Sequence, residues 1–189
     1  MTKRTAYVAI RNEKSEPLVA VGVKHKYSDD YTNDGEWAIV QPGELSGERL
    51  EVEYNTGFLT TGVDWWAISW YSPDMKTVYY SNPNNFRGII DGFENLAPDV
   101  IAAAASAVAA LIASPSGPGA VGAAVAASAA AKATTSALFN SEGTVGFKRH
   151  MLTSDDEGRT TEIVIRQDNT IEFRSSSGNS ETVTSTKNV

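Results

Sequence analysis

"VIAAAASAVAALIASPSGPGAVGAAVAASAAAK" runs from Val100 to Lys132, and its reading decides the fold. The 32 residues before Lys132 carry no charge and are mostly Ala. Three structures compete for such a stretch: a membrane span, a docked helical hairpin and a disordered spacer. Length speaks against the span. Val100 to Ala113 is fourteen residues, about 21 Å of helix against a hydrocarbon core of about 30 Å. The second half has only Val121 and Val125 as large apolar residues before Leu138 and Phe139. Lys132 would cost about 2.5–3.5 kcal/mol at mid-membrane. Periodicity speaks against the spacer. Ile101, Val108, Leu111 and Ile112 share one helical face, and Ala, the best helix former, fills the remainder. Ser114-Pro115-Ser116-Gly117-Pro118-Gly119 divides the run. The expectation is a docked hairpin with helices at 99–113 and 119–139, and with Asp99 suited to the dipole at its start.

The flanks read as strands. Ala6, Val8 and Ile10 alternate with polar neighbours, as do Val19, Val21 and Val23, and again Leu50, Val52 and Tyr54. Val63 to Ser72 is the strongest strand, and Thr77 to Ser81 is expected to pair with it. Turn signals stand at Asn12 to Pro17, Asn33-Asp34-Gly35 and Gln41-Pro42-Gly43. Beyond the Ala-rich insert, Val145 to Leu152, Thr160 to Arg166 and Thr170 to Arg174 read as three more strands. Residues 176–189 read as a loose tail with one edge strand at Glu181 to Ser185. Short strands with frequent turns predict a mainly β protein, an antiparallel β-sandwich over residues 1–189 with a helical hairpin inserted at 98–140. If the strands supply their own core, replacing Pro98 to Asn140 by a short Gly/Ser turn leaves that sandwich folded.

At 189 residues the chain needs no disulfide or metal to hold a core, and it has no Cys. Disulfides, thiolate nucleophiles and thiolate metal sites are thereby excluded. The first residues show no apolar signal-peptide core, so the expected compartment is the cytoplasm. A net charge of −7, spread over both flanks of the insert, argues against nucleic acid and anionic membrane partners.

Few motifs suggest chemistry. Gly117-Pro118-Gly119-Ala120-Val121-Gly122 matches the dinucleotide fingerprint, but a helical stretch precedes it where a strand is required, so no nucleotide is expected. Asp30-x-Thr32-x-Asp34-Gly35 resembles the start of an EF-hand loop, with Gln41 where a bidentate Glu belongs. His25 and His150 are the only histidines, too few for a typical zinc site without further ligands. No nucleophile elbow is present. The expectation is a protein without catalytic residues, metal or cofactor.

Trp65-Trp66-Ala67-Ile68-Ser69-Trp70-Tyr71 is the sharpest feature outside the insert. Alternation puts Trp66, Ile68 and Trp70 on one face, and Trp65, Ala67, Ser69 and Tyr71 on the other. One face fills the core. The other is either an aromatic binding patch with Tyr79 or Tyr80 of the next strand, or lies under the Ala-rich helices.

"LVAVGVKHKYSDDYTNDGEW" and "VEYNTGFLTTGVDWWAISWY", followed by the Ala-rich insert and a last set of strands, resemble the PUD-type domain family of fungi and nematodes. That resemblance implies an aegerolysin-like β-sandwich, dimer formation as in the nematode members, and no established catalytic activity. "DWWAISWY" and "VYYSNP" are more loosely similar to actinoporin-like membrane-binding sandwiches. By position that similarity implies Trp65, Trp66, Tyr71, Tyr79 and Tyr80 as candidates for binding a lipid headgroup. The chain departs from that group by lacking its amphipathic N-terminal helix and by carrying the hairpin. The first expectation is a non-enzymatic intracellular binding and assembly module that contacts protein or lipid partners through the aromatic surface, the Ala-rich hairpin or both, as a homo-oligomer or a dimer of related subunits. Its rival is a membrane-active protein whose hairpin inserts. A hydrolase has no motif behind it.

Overall fold

The computed structural model describes residues 1–58, 60–85, 98–139 and 143–189. Six strands come first: β1 (Thr2–Asn12), β2 (Leu18–Tyr27), β3 (Tyr31–Val40), β4 (Leu50–Thr56), β5 (Asp64–Tyr71) and β6 (Thr77–Ser81). Helices α1 (Pro98–Ala113) and α2 (Ala120–Leu138) follow. The chain ends with β7 (Lys148–Arg149), β8 (Thr160–Ile165), β9 (Ile171–Ser175), β10 (Gly178–Thr182) and β11 (Thr184–Asn188).

The strands build two sheets, one in the order β10-β9-β8-β1-β4, the other β11-β6-β5-β2-β3 with β7 beside the start of β5. Among the described residues every pair is antiparallel except β1 with β8. The predicted mainly β sandwich with a helical hairpin is the observed architecture. Period two explains the inner core, where Ala6, Val8 and Ile10 of β1 meet Val21 and Val23 of β2 and Trp66, Ile68 and Trp70 of β5.

The hairpin adds a third layer. A second core lies between the six-stranded sheet and the helices, built from Val19, Ala67, Tyr71, Val78 and Tyr80 below and Ala104, Val108, Leu111, Ala127 and Ala131 above. Covering both faces explains why all ten residues of β2 are buried. Val108 and Leu111 point inward as the periodicity predicts, Ile101 is only partly covered, and Ile112 lies outside. In α2 the expected preference is inverted. Small residues face the sheet, while Val121 and Val125 are 81% and 66% exposed. The cause is close approach: a Cβ added to Gly22 on β2 would stand 2.5 Å from Thr135 Cγ2 and 3.1 Å from the Ala131 carbonyl oxygen. Only small side chains fit between backbones that near.

Three sequence expectations need correction. Asn33-Asp34-Gly35 lies inside β3, and the turn falls at Ser28 to Asp30, where Ser28 takes a left-handed φ of 47° and the Asp30 amide donates to the Tyr27 carbonyl. Gly35 serves packing instead, since a Cβ there would lie 3.0 Å from the Trp37 ring. The strand expected over Val145 to Leu152 shrinks to Lys148–Arg149, because β6 already holds the far half of β5 and the Leu152 amide turns inward to the Asp64 carboxylate. Residues 176–189 are no loose tail: β10 pairs with β9 and β11 with β6, so the last strands join both sheets. Backbone pairing there overrides the weak strand preference of Ser, Thr and Asn.

Candidate functional site

The aromatic set does not form one surface. Trp66, Tyr71 and Tyr80 are buried, and Trp65 and Tyr79 are half-buried. Trp66, Tyr71 and Tyr80 therefore present no open ring face to a lipid headgroup. Trp66 sits between the sheets, its indole N–H donating to the His150 carbonyl at 2.9 Å and its ring against His25 and Phe173. Tyr71 and Tyr80 belong to the core under the helices, with Trp65 packed at its margin. Tyr79 stacks on Trp70 with centroids 5.2 Å apart, and Lys14 lies over its other face at 5.2 Å. Alternation along β5 was legible, and of the two readings of its second face, binding patch or helical cover, the structure has the helices on it.

Both histidines are buried in hydrogen-bonded settings. His25 Nε2 meets Asp64 Oδ1 at 2.8 Å, and its Nδ1 meets Asn33 Oδ1 at 3.2 Å. The Glu53 amide also donates to Asn33 Oδ1, which marks that atom as the oxygen. Both ring nitrogens therefore face acceptor oxygens. Asp64 Oδ2 accepts from the Leu152 amide, so the cluster holds β2, β3 and β5 to β4 and to the segment after β7.

His150 is held by two hydroxyls, Ser180 Oγ at Nδ1 (2.8 Å) and Ser175 Oγ at Nε2 (3.1 Å). Ser175 donates its own proton to the Gly178 carbonyl, so it accepts from Nε2–H, and Nδ1 accepts from Ser180. Burial pushes this imidazole down to about 4, and it is neutral near pH 7. The carboxylate that would orient a catalytic histidine is absent from its ring, because Asp64 serves His25.

The remaining motifs dissolve into secondary structure. The stretch from Thr32 to Glu36 is extended, so its oxygens are strung along a strand and do not converge. Among the described residues no three His, Asp or Glu converge on a metal-binding point. Gly117 to Gly122 covers the end of the α1–α2 connection and the first turn of α2, with Gly119 left-handed at the N-cap, and a helix rather than a strand precedes it.

Three surface features are left to consider. The outer side of the hairpin presents Ala103, Ser106, Ala110 and Ala113 of α1 and Val121 and Val125 of α2, all exposed, with Asp99 and Lys132 the exposed charges on the same two stripes. Solvated helix faces normally carry charge. Beside it, a groove of about 560 Å³ runs along β3 between α2 and the loop Glu44 to Glu48. A smaller cavity of about 480 Å³ lies between α1, Met75 and Val189. No helix among the described residues is long and apolar enough to cross a membrane.

A family model described as Up-Regulated in long-lived daf-2 matches residues 2–184. The chain belongs to that family. The resemblance read from the sequence to PUD-type domains is thus correct. The matched span begins with β1 and ends at the first residue of β11, so both sheets and the hairpin lie within the family's domain. No curated protein matches the chain.

Proposed function

We propose that this chain is a non-enzymatic binding and assembly module that associates with a second copy or a related subunit through the outer face of its hairpin. The exposed, Ala-rich helical face, whose only charges on the two stripes are Asp99 and Lys132, supports this reading. Its helices are about 24 and 28 Å long at 1.5 Å per residue, so the face offers roughly 500 Å² per partner. That is about 1,000 Å² in total, the lower bound of a specific interface. Association of this kind is weak to moderate, and closely apposed Ala surfaces suit it because backbones approach without losing side-chain entropy.

Sedimentation equilibrium across about 1–100 µM is the test, with the double variant Ala103→Glu/Ala110→Glu as control. Both positions are exposed on one stripe of α1, so the variant folds. The expectation is a dimer or larger assembly that the variant reduces to monomer. A wild-type protein that stays monomeric but co-sediments with phosphatidylcholine vesicles favours the membrane-active alternative.

A further inference from the structure

The groove beside the hairpin has three properties that seldom coincide. The first is an open sheet edge. β3 has β2 on one side and no strand on the other among the described residues, and the groove follows it from Glu36 to Val40. An edge strand left bare is a template for another strand and is normally blunted by Lys, Pro or a covering element. Here the edge from Glu36 to Ile39 has neither Lys nor Pro, and it ends at Val40, whose carbonyl accepts from Asn12 Nδ2.

The second is an apolar wall on each side. Val121 and Val125 project from α2, and Leu45, itself 39% exposed, stands opposite. The third is charge. Glu36, Glu44 and Glu48 line the groove, and no Lys or Arg is among its lining residues. Burial also pushes the Glu36 carboxyl above its ordinary range, with Lys132 opposing the effect.

From this juxtaposition we infer that the groove takes an extended, basic segment of a partner protein, added as a strand to the free edge of β3. The partner's backbone pairs with β3, its apolar side chains seat against Val125 and Leu45, and its Lys or Arg side chains meet the three glutamates. Strand addition supplies affinity through main-chain hydrogen bonds, and the alternating walls supply selection. The glutamate rim steers a cationic segment and repels anionic ones. This inference rests on the reading of the chain as a protein-binding module and names the chemistry of one partner. It leaves the α1 stripe untouched and shares Val121 and Val125 of α2 with the outer face of the hairpin.

The probes are three fluorescein-labelled nine-residue peptides. One alternates Lys with Val, one alternates Glu with Val, and one is the Lys peptide N-methylated at alternate residues on one backbone edge. Anisotropy in about 0.15 M salt, where exposed charges are screened beyond about 8 Å, measures each against wild type, Val125→Ser and Glu44→Gln/Glu48→Gln. All variants alter exposed or rim positions, and circular dichroism confirms their fold. The Lys peptide is expected to bind saturably, at least tenfold tighter than the Glu peptide. Binding falls about threefold in Val125→Ser, tenfold in the double Gln variant, and is lost on N-methylation. Absent binding, equal binding of both charges, or undiminished binding of the N-methylated peptide overturns the inference. So does displacement of the Lys peptide by phosphatidylcholine vesicles, which assigns the groove to lipid. The monomeric Ala103→Glu/Ala110→Glu variant is measured in parallel. Peptide binding there, with no wild-type oligomer, retains the groove and rejects self-assembly, and the reverse result rejects the groove alone.

Discussion

Tyr71 of β5 and Thr134 of α2 share a buried hydrogen bond of 2.7 Å across the boundary between sheet and helix. Thr134 gives its own proton to the Ala130 carbonyl, so the phenol is the donor. A polar pair sealed at that boundary belongs to a core, and a detachable appendage has no need of one. Replacing residues 98–139 by a short linker is therefore expected to unfold or aggregate the protein, contrary to a self-sufficient sandwich. The replacement uncovers Val19, Tyr71, Val78 and Tyr80 together. Thermal melts and dye binding to exposed apolar surface read the outcome, and a soluble, cooperatively melting deletion shows the inner core to suffice.

The close seat of α2 makes a sharper prediction at one glycine. Gly22→Ala puts a methyl 2.5 Å from Thr135 Cγ2 and is expected to cost about 1–3 kcal/mol through overpacking. Thr135→Ala removes the opposing methyl. The double variant should lose less than the sum of the two, measured as a cycle by urea unfolding. Simple additivity means that the helix does not sit as close as described.

Neighbouring tryptophans of β5 should separate in stability. Trp66→Ala empties a fully buried site between the sheets and breaks the bond to the His150 carbonyl, for an expected loss of about 3–5 kcal/mol. Trp65 is half-buried at the margin of the second core, and its truncation should cost about 1–2 kcal/mol. Chemical denaturation of both variants gives the comparison, and equal losses place Trp65 deeper than the fold allows.

His150 gives the fold a pH dependence of known sign. Its folded form binds a proton only near pH 4, whereas an unfolded imidazole does so near 6.5. Its contribution is complete above pH 6.5 and lost as pH falls toward 4, because the unfolded chain takes the proton first. The full effect is about 3 kcal/mol. Glu162 and Glu172, held below the ordinary carboxylate range by their arginines, add a loss that sets in only as pH falls into that range. Urea midpoints between pH 7 and 4.5 should therefore fall in wild type and flatten in His150→Gln. Parallel curves for the two proteins exclude His150 as the cause.

Local chemistry in the sequence determined what local chemistry can. Alternating apolar residues in β1, β2 and β5 set their inward faces, since side chains in a strand point to opposite sides at every step. The uncharged Ala run, broken by Pro115 to Gly119, became two helices at nearly the expected bounds because propensity and stop signals act within a few residues. What tertiary structure alone decided depends on partners distant in the chain. The aromatic face of Trp65, Tyr71 and Tyr80 is covered rather than exposed, because the helical layer lands on it. The tail becomes β10 and β11 because free edges at β9 and β6 await backbone partners. Gly35 packs inside a strand where its neighbours Asn33 and Asp34 suggest a turn, because the Trp37 ring and Leu50 leave room for no side chain. Most of all, α2 turns its alanines inward and its valines outward. Helical periodicity ranks residues by apolarity, but Gly22 sets how near the backbones come, and at that distance size outweighs apolarity. The same inversion leaves Val121 and Val125 exposed at the groove.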